Sequence, residues 1–193
     1  MRLPGPTHRV VTCESAAEAR AAVAAALRIL NELGVQLHPQ KTRIVHVQQG
    51  FDFLGYRIVR TSGKSKLPRR TIQRWNPKGL IAYPTRKSIR RLRDRVRMLT
   101  RRSLPRKTAD LITELNPTLR GWGEYYKRAH VRTLFHKLDG WIVRRIWSHR
   151  FRRWRTRGWK QLPKVKLYEE FGLVNLISLI PSIGAHSRTR ESS

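Results

Sequence analysis

The stretch from residue 85 to 102, TRKSIRRLRDRVRMLTRR, constrains the chain most. Ile89, Leu92, Val96 and Leu99 recur at helical spacing and form a narrow apolar stripe. Arg86, Lys87, Arg90, Arg91, Arg93, Arg95 and Arg97 fill the rest of that helix, and Arg101 and Arg102 follow it. Such a helix lays its stripe on a core and leaves a cationic surface outside. Like charges four residues apart destabilise a bare helix by a few tenths of a kcal/mol per pair, and Asp94 is the one acid in this helix. Phosphate binding explains the pattern better than a solvated face does. The totals agree: 42 Lys plus Arg against 12 Asp plus Glu give a net charge of +30 over 193 residues, far more than solubility requires. Arg outnumbers Lys about three to one, which favours forked phosphate contacts and stacking on bases.

Other classes are disfavoured. Cys13 is the single cysteine, so no internal disulfide or Cys-based zinc site forms, and a reducing, cytoplasmic setting is expected. The seven histidines lack zinc-ligand spacing, and no metal site is assigned. No apolar run reaches the ~18 residues of a membrane span, and no membrane partner is expected.

In chain order, residues 1–9 read as a disordered tail. Val10–Cys13 is a short β-type run. Ser15 and Glu18 make a capping box opening a helix over Ala16–Leu33, with Val23, Leu27 and Leu30 on one face and Gly34 as a left-handed cap. Thr42–Val47 reads as a strand, Gln48–Gly50 as a turn and Phe51–Val59 as the return strand. Residues 10–62 are thus a β-α-β-hairpin layer, and 63–84 a linker ending in a short strand at Leu80–Tyr83. Residues 85–160 are helical. Thr85 caps the arginine-rich helix. Pro105 opens a second, with Leu111, Ile112 and Leu115 inward. Asn116-Pro117 starts a third, Asn116 as its cap, with Leu119, Trp122 and Tyr126 on one face. Gly121 and Gly123 flank Trp122 at a helix cost of up to ~1 kcal/mol each, which implies that another backbone or a nucleic acid approaches closely. A fourth helix spans Val131–Phe151 with Leu134, Phe135, Leu138, Ile142 and Ile146 inward. Arg144, Arg145, Arg150, Arg152, Arg153, Arg155 and Arg157 crowd its end. Residues 161–185 form a docking segment and 186–193 a tail. The fold class is α+β.

GVQLHPQKTRIVHV followed by GFDFLGYRI resembles the end of the palm of bacterial group II intron reverse transcriptases. PTRKSIRRLRDRV, ELNPTLRGWGEYYKRAH and the Trp/Arg-rich helix to residue 157 resemble their maturase-specific region, also called domain X or thumb. The resemblance covers roughly residues 10–160. It implies a partial palm followed by an all-α helical thumb bundle. It further implies binding to group II intron RNA, help with its splicing, and a part in its mobility. It makes Lys41 similar to the palm lysine near the incoming nucleotide, and Phe53, Leu54, Gly55 and Tyr56 similar to the hairpin gripping the primer. Asn116, Leu119, Gly121, Trp122 and Tyr126 are its structural signature.

One departure matters. Relatives place a Tyr-x-Asp-Asp motif just before the segment resembling VVTCES, where this chain reads GPTH, and no Asp precedes Asp52. Those carboxylates hold the catalytic metal ions in relatives. The resemblance therefore implies a C-terminal fragment with no catalytic residue and no cofactor of its own. Mg²⁺ enters only if a separate N-terminal half supplies the carboxylates.

The candidate RNA contacts are the arginines named above, with Lys87 and the base-stacking Trp154; Trp147 and Trp159 are further stacking candidates. Trp122, Tyr125, Trp141 and Phe135 read as core. For Lys41 the bland alternative is a surface lysine. For the FLGY hairpin it is an ordinary hairpin with Leu54, Tyr56 and Ile58 in a core. The function expected is an RNA-binding maturase module. The alternatives are half of a split RNA-directed DNA polymerase or a non-functional remnant.

Overall fold

A computed structural model describes residues 10–36, 38, 42–60, 79–151 and 158–181. Lys41, Arg152, Arg153, Trp154, Arg155, Arg157 and the side chain of Trp159 lie outside the described residues, as do both expected tails and most of the expected linker. The chain divides into two compact units, 1–82 and 83–193. It is mixed α+β.

The first unit opens with α1, Ala16–Glu32. The Ser15 hydroxyl accepts from the Glu18 N–H at 3.1 Å, and the Glu18 carboxylate accepts from the Glu14 N–H at 2.8 Å. Gly34, at φ +68°, supplies the left-handed turn that ends the helix. No residue of α1 is buried; Leu27, on the expected inner face, and Ile29 are both exposed. Strands β1 (Phe51–Phe53) and β2 (Tyr56–Arg60) pair antiparallel, and β3 (Leu80–Pro84) completes a sheet of order β1-β2-β3.

Three expectations are corrected here. Val10–Cys13 forms no strand. Thr42–Val47 is irregular and contributes one ladder-like bond, Arg60 N–H to Val47 O at 2.9 Å. The hairpin lies wholly within 51–60. Its turn is Leu54-Gly55, with φ of 45° and 81°, the two positive values of a type I′ turn. That turn folds Phe51 onto Ile58 and Phe53 onto Tyr56, so β2 has β1 on one edge and β3 on the other, and 42–47 reaches it at Arg60, its last residue. Asp52 and Arg57 face each other and pair at 3.1 Å. Leu54, at the tip, is 56 % exposed and is not a core residue.

The second unit is helical: α2 (Arg86–Leu99), α3 (Thr108–Tyr126), α4 (Arg132–Phe151), then short α5 (Gly158–Gln161) and α6 (Lys164–Glu169) and a 3₁₀ turn at Ile177–Leu179. Thr85 caps α2 by accepting from the Ser88 N–H at 3.2 Å. Leu92, Val96 and Leu99 are buried and Ile89 half-buried. The stripe packs on α3 and α4.

The helix boundary expected at Asn116-Pro117 is absent. One helix runs from Thr108 through Pro117 to Tyr126. Leu111, Ile112, Leu115, Leu119 and Tyr126 form an unbroken buried face along it. Burying each such side chain contributes roughly 1.5–3 kcal/mol, which together outweighs the ~3 kcal/mol of an interior proline. Pro117 is on the solvent side, and the Thr113 carbonyl that loses its partner belongs to an exposed residue. Asn116 is therefore no cap. Its amide donates to the Gly172 carbonyl at 2.9 Å, and its oxygen accepts from the Val174 N–H at 2.9 Å.

The C-terminal segment lies across this helical body. Leu162, Leu167, Leu173, Val174 and Leu176 are buried. The Asp139 carboxylate, on α4, accepts from the N–H groups of Leu176 at 2.9 Å and Ile177 at 3.1 Å. A Cβ on Gly123 would run into Leu176 at 2.9 Å and into Leu179 closer still, so the close approach inferred at the glycines is intramolecular there. Gly121 opens to free space.

Candidate nucleic-acid interface

Three aromatic side chains and one hydroxyl set the frame. Trp122 Nε1 and the Tyr126 hydroxyl, both on α3, donate to Ser88 Oγ on α2 at 3.0 and 2.9 Å. Trp122 lies 4.8 Å from Tyr126 and 5.7 Å from Phe135 on α4, ring centre to ring centre. Leu119, Tyr126 and Phe135 are buried and Trp122 half-buried. Tyr125, expected in the core, is 50 % exposed, its ring edge-on to Tyr126.

On this frame the basic side chains fall into two sets. Arg86, Lys87, Arg90, Arg91, Arg95, Arg97, Arg101, Arg144 and Arg150 are exposed. Those of α2 surround the buried stripe of Leu92, Val96 and Leu99, and Asp94 pairs with Arg97 at 2.7 Å. Arg93, Arg102 and Arg145 are half-buried and turned into the seam between α2 and α4. Arg145 Nε donates to Thr100 Oγ1 at 2.9 Å. Arg102 Nε donates to Ser148 Oγ at 3.0 Å. His149 Nδ1 lies 2.8 Å from the Arg101 carbonyl, the distance of a donated N–H. Burial first, then the charges of Arg97 and Arg102, lower the Arg145 pKa from its ordinary value. Positive charge thus accumulates along this seam.

Trp141 is the residue whose role the sequence concealed. Read as core from its place beside the α4 stripe, it is half-buried and carries two cations. The guanidinium carbons of Arg93 and Arg97 each lie 5.8 Å from its ring centre, within cation–π range. Arg144 Nη1 lies 3.6 Å from the space a Gly140 side chain would take. The signal available in the sequence was Arg93 and Arg97 one helical turn apart; no local pattern tied them to a tryptophan far along the chain.

Phe53, Leu54, Gly55 and Tyr56 come together as the turn of the first unit's hairpin. Among the described residues, no group of three or more His, Cys, Asp or Glu side chains is placed to hold a metal ion. No helix among the described residues is long and apolar enough to cross a membrane.

Residues 89–166 match the family model for the group II intron, maturase-specific domain. The match starts in α2, ends in α6 and encloses α3, α4 and the seam. The maturase-specific identity expected from the resemblance is borne out for this segment. A search of curated proteins found no match to the chain.

Proposed function

Starting from a chain that carries a group II intron maturase-specific domain, we propose that it is an RNA-binding module that assists the splicing and mobility of its intron, in a cytoplasmic setting. The observation that carries this reading is the face of α2, where Arg86, Lys87, Arg90, Arg91, Arg95 and Arg97 stand outward over a buried stripe with Asp94 as the one acid. Arginine forks bind phosphate oxygens in pairs. Phosphate contacts fix register on RNA, whereas sequence is read where bases are unstacked. In this reading α2, α3 and α4 serve as the thumb, and the three-stranded sheet as the end of a palm.

The test is binding of group II intron RNA over a salt series. Each phosphate neutralised contributes about −0.7 (single strand) to −0.9 (duplex) to the slope of log affinity against log salt. Tight binding with a steep negative slope is expected. A flat response would overturn the reading.

A second reading is supported by the first unit. Helix α1 has no buried residue, and Val10, Val11, Leu27, Ile29, Leu33, Ile44 and Val45 are exposed. These exposed apolar side chains suit a protein partner, and a separate polymerase half bringing metal-binding carboxylates and Mg²⁺ would fit them. In this reading the chain alone does not extend a primer on a template with Mg²⁺. Extension by the purified chain would overturn it.

A further inference from the structure

Two guanidiniums share one aromatic ring in the α2–α4 seam. Arg93 and Arg97 are one helical turn apart on α2, and each approaches the ring of Trp141 on α4 at 5.8 Å. Like charges at that spacing repel. Arg97 has Asp94 at 2.7 Å, while Arg93 Nε is sealed from solvent with no hydrogen-bond partner. The ring thus gathers two cations against the single acid Asp94, and the charges of Arg97 and Arg102 are felt by Arg145 next to them.

From this geometry we infer that Trp141 is a positioning residue that orients the Arg93 and Arg97 forks as a seat for an RNA phosphodiester. The inference rests on the proposed RNA-binding function and assigns part of it to one site. A free arginine on a surface loses side-chain entropy when its fork is fixed on an anion. Stacking on Trp141 removes part of that loss before binding. Two neighbouring forks together suit an anion that presents several acceptor oxygens, as an RNA phosphodiester does.

The experiment measures binding of a uridine homopolymer and of an RNA duplex across a salt series. The variants are Trp141→Leu, Trp141→Phe, Arg93→Lys with Arg97→Lys, and that lysine pair combined with Trp141→Leu. Trp141→Leu changes no charge, yet it should weaken binding about five- to tenfold and make the salt slope shallower, because two directed phosphate contacts are lost. Trp141→Phe keeps a ring and should retain most of the affinity. The lysine pair keeps the charge and should weaken binding by a similar factor. Adding Trp141→Leu to it should cost little more, because both changes disable one unit. Circular dichroism and melting checks confirm the fold, and if Trp141→Leu does not fold, Trp141→Phe and the lysine pair decide. Unchanged affinity and slope in Trp141→Leu, or full additivity with the lysine pair, overturns the inference while leaving RNA binding intact. If the unaltered chain binds neither RNA, the proposed function itself fails.

Discussion

The guanidinium of Arg145 closes on Thr100 from two sides, with Nε donating to Oγ1 at 2.9 Å and Nη2 to the carbonyl oxygen at 3.2 Å. Thr100 follows the last residue of α2, so Arg145 satisfies a carbonyl that the helix cannot pair internally. It also ties α4 to α2 at that end. Arg145→Ala should destabilise the helical unit by about 2 kcal/mol, the worth of a charged hydrogen-bond donor over a partly buried acceptor. Arg145→Lys should recover little, since a point charge does not reproduce the fork. Thermal unfolding of both variants checks this; a melting point equal to the parent's would show that the staple contributes nothing.

Asn116 and Asp139 hold the C-terminal segment from two helices. Asn116→Ala leaves the Val174 N–H without its side-chain acceptor, and Asp139→Asn takes away one of the two carboxylate acceptors over Leu176 and Ile177, at about 1–3 kcal/mol. Amide exchange over residues 172–179 should quicken in both, with α2 less affected. Uniform quickening would mean that the segment is not a separate strap.

Asp139 also gives the fold a pH dependence. Burial raises its pKa above the ordinary 3.8, against lowering by the two N–H bonds and the His136 charge. The folded state therefore holds the proton more tightly than the unfolded chain. Its contribution is full below pH 3.8 and is lost as pH rises through the folded pKa. Burial and the charge of Asp139 push the nearby Tyr168 up to about 12, so its phenol is neutral throughout this range. The stability difference between the parent and Asp139→Asn should fall with rising pH above 3.8 and then level off. A difference independent of pH would refute the assignment.

The two glycines around Trp122 should respond to alanine with opposite signs. Gly121 faces free space, so Gly121→Ala should gain up to about 1 kcal/mol of helix propensity. Gly123→Ala drives a methyl into Leu176 and Leu179, and overpacking of this kind costs typically about 1–3 kcal/mol. Denaturant unfolding compares them, and equal midpoints would contradict the packing described here.

These responses mark where the sequence was informative. Local signals worked: Ser15 with Glu18, Thr85, Gly34 and the Leu92–Val96–Leu99 stripe all occupy the expected places. Signals that compete with distant contacts misled. Asn116-Pro117 carries the chemistry of a helix start, but Asn116 finds its partners 56 and 58 residues away, and the buried leucines on either side carry the helix through the proline. Gln48-Gln49-Gly50 also reads as a turn, which sets the expected hairpin one turn early. Register was decided instead by Leu54-Gly55, whose leucine adopts a φ that sequence reasoning gives mainly to glycine and asparagine. Nothing local linked Trp141 to α2.

The final prediction separates the surface charge of α2 from its fold. Arg90, Arg91 and Arg95 are exposed, and none belongs to the seam. Changing all three to Gln removes three positive charges and relieves the repulsion between Arg91 and Arg95, one turn apart, while Leu92, Val96 and Leu99 stay in place. Helix content and melting temperature should hold or rise slightly. If each arginine meets one phosphate of a single strand, the salt slope should become shallower by about 2, at roughly 0.7 per contact. Affinity should fall in parallel for every RNA tried, because phosphate contacts carry no sequence information. Loss of helicity in the triple variant would show instead that these side chains support the fold, and the electrostatic reading of α2 would have to be abandoned.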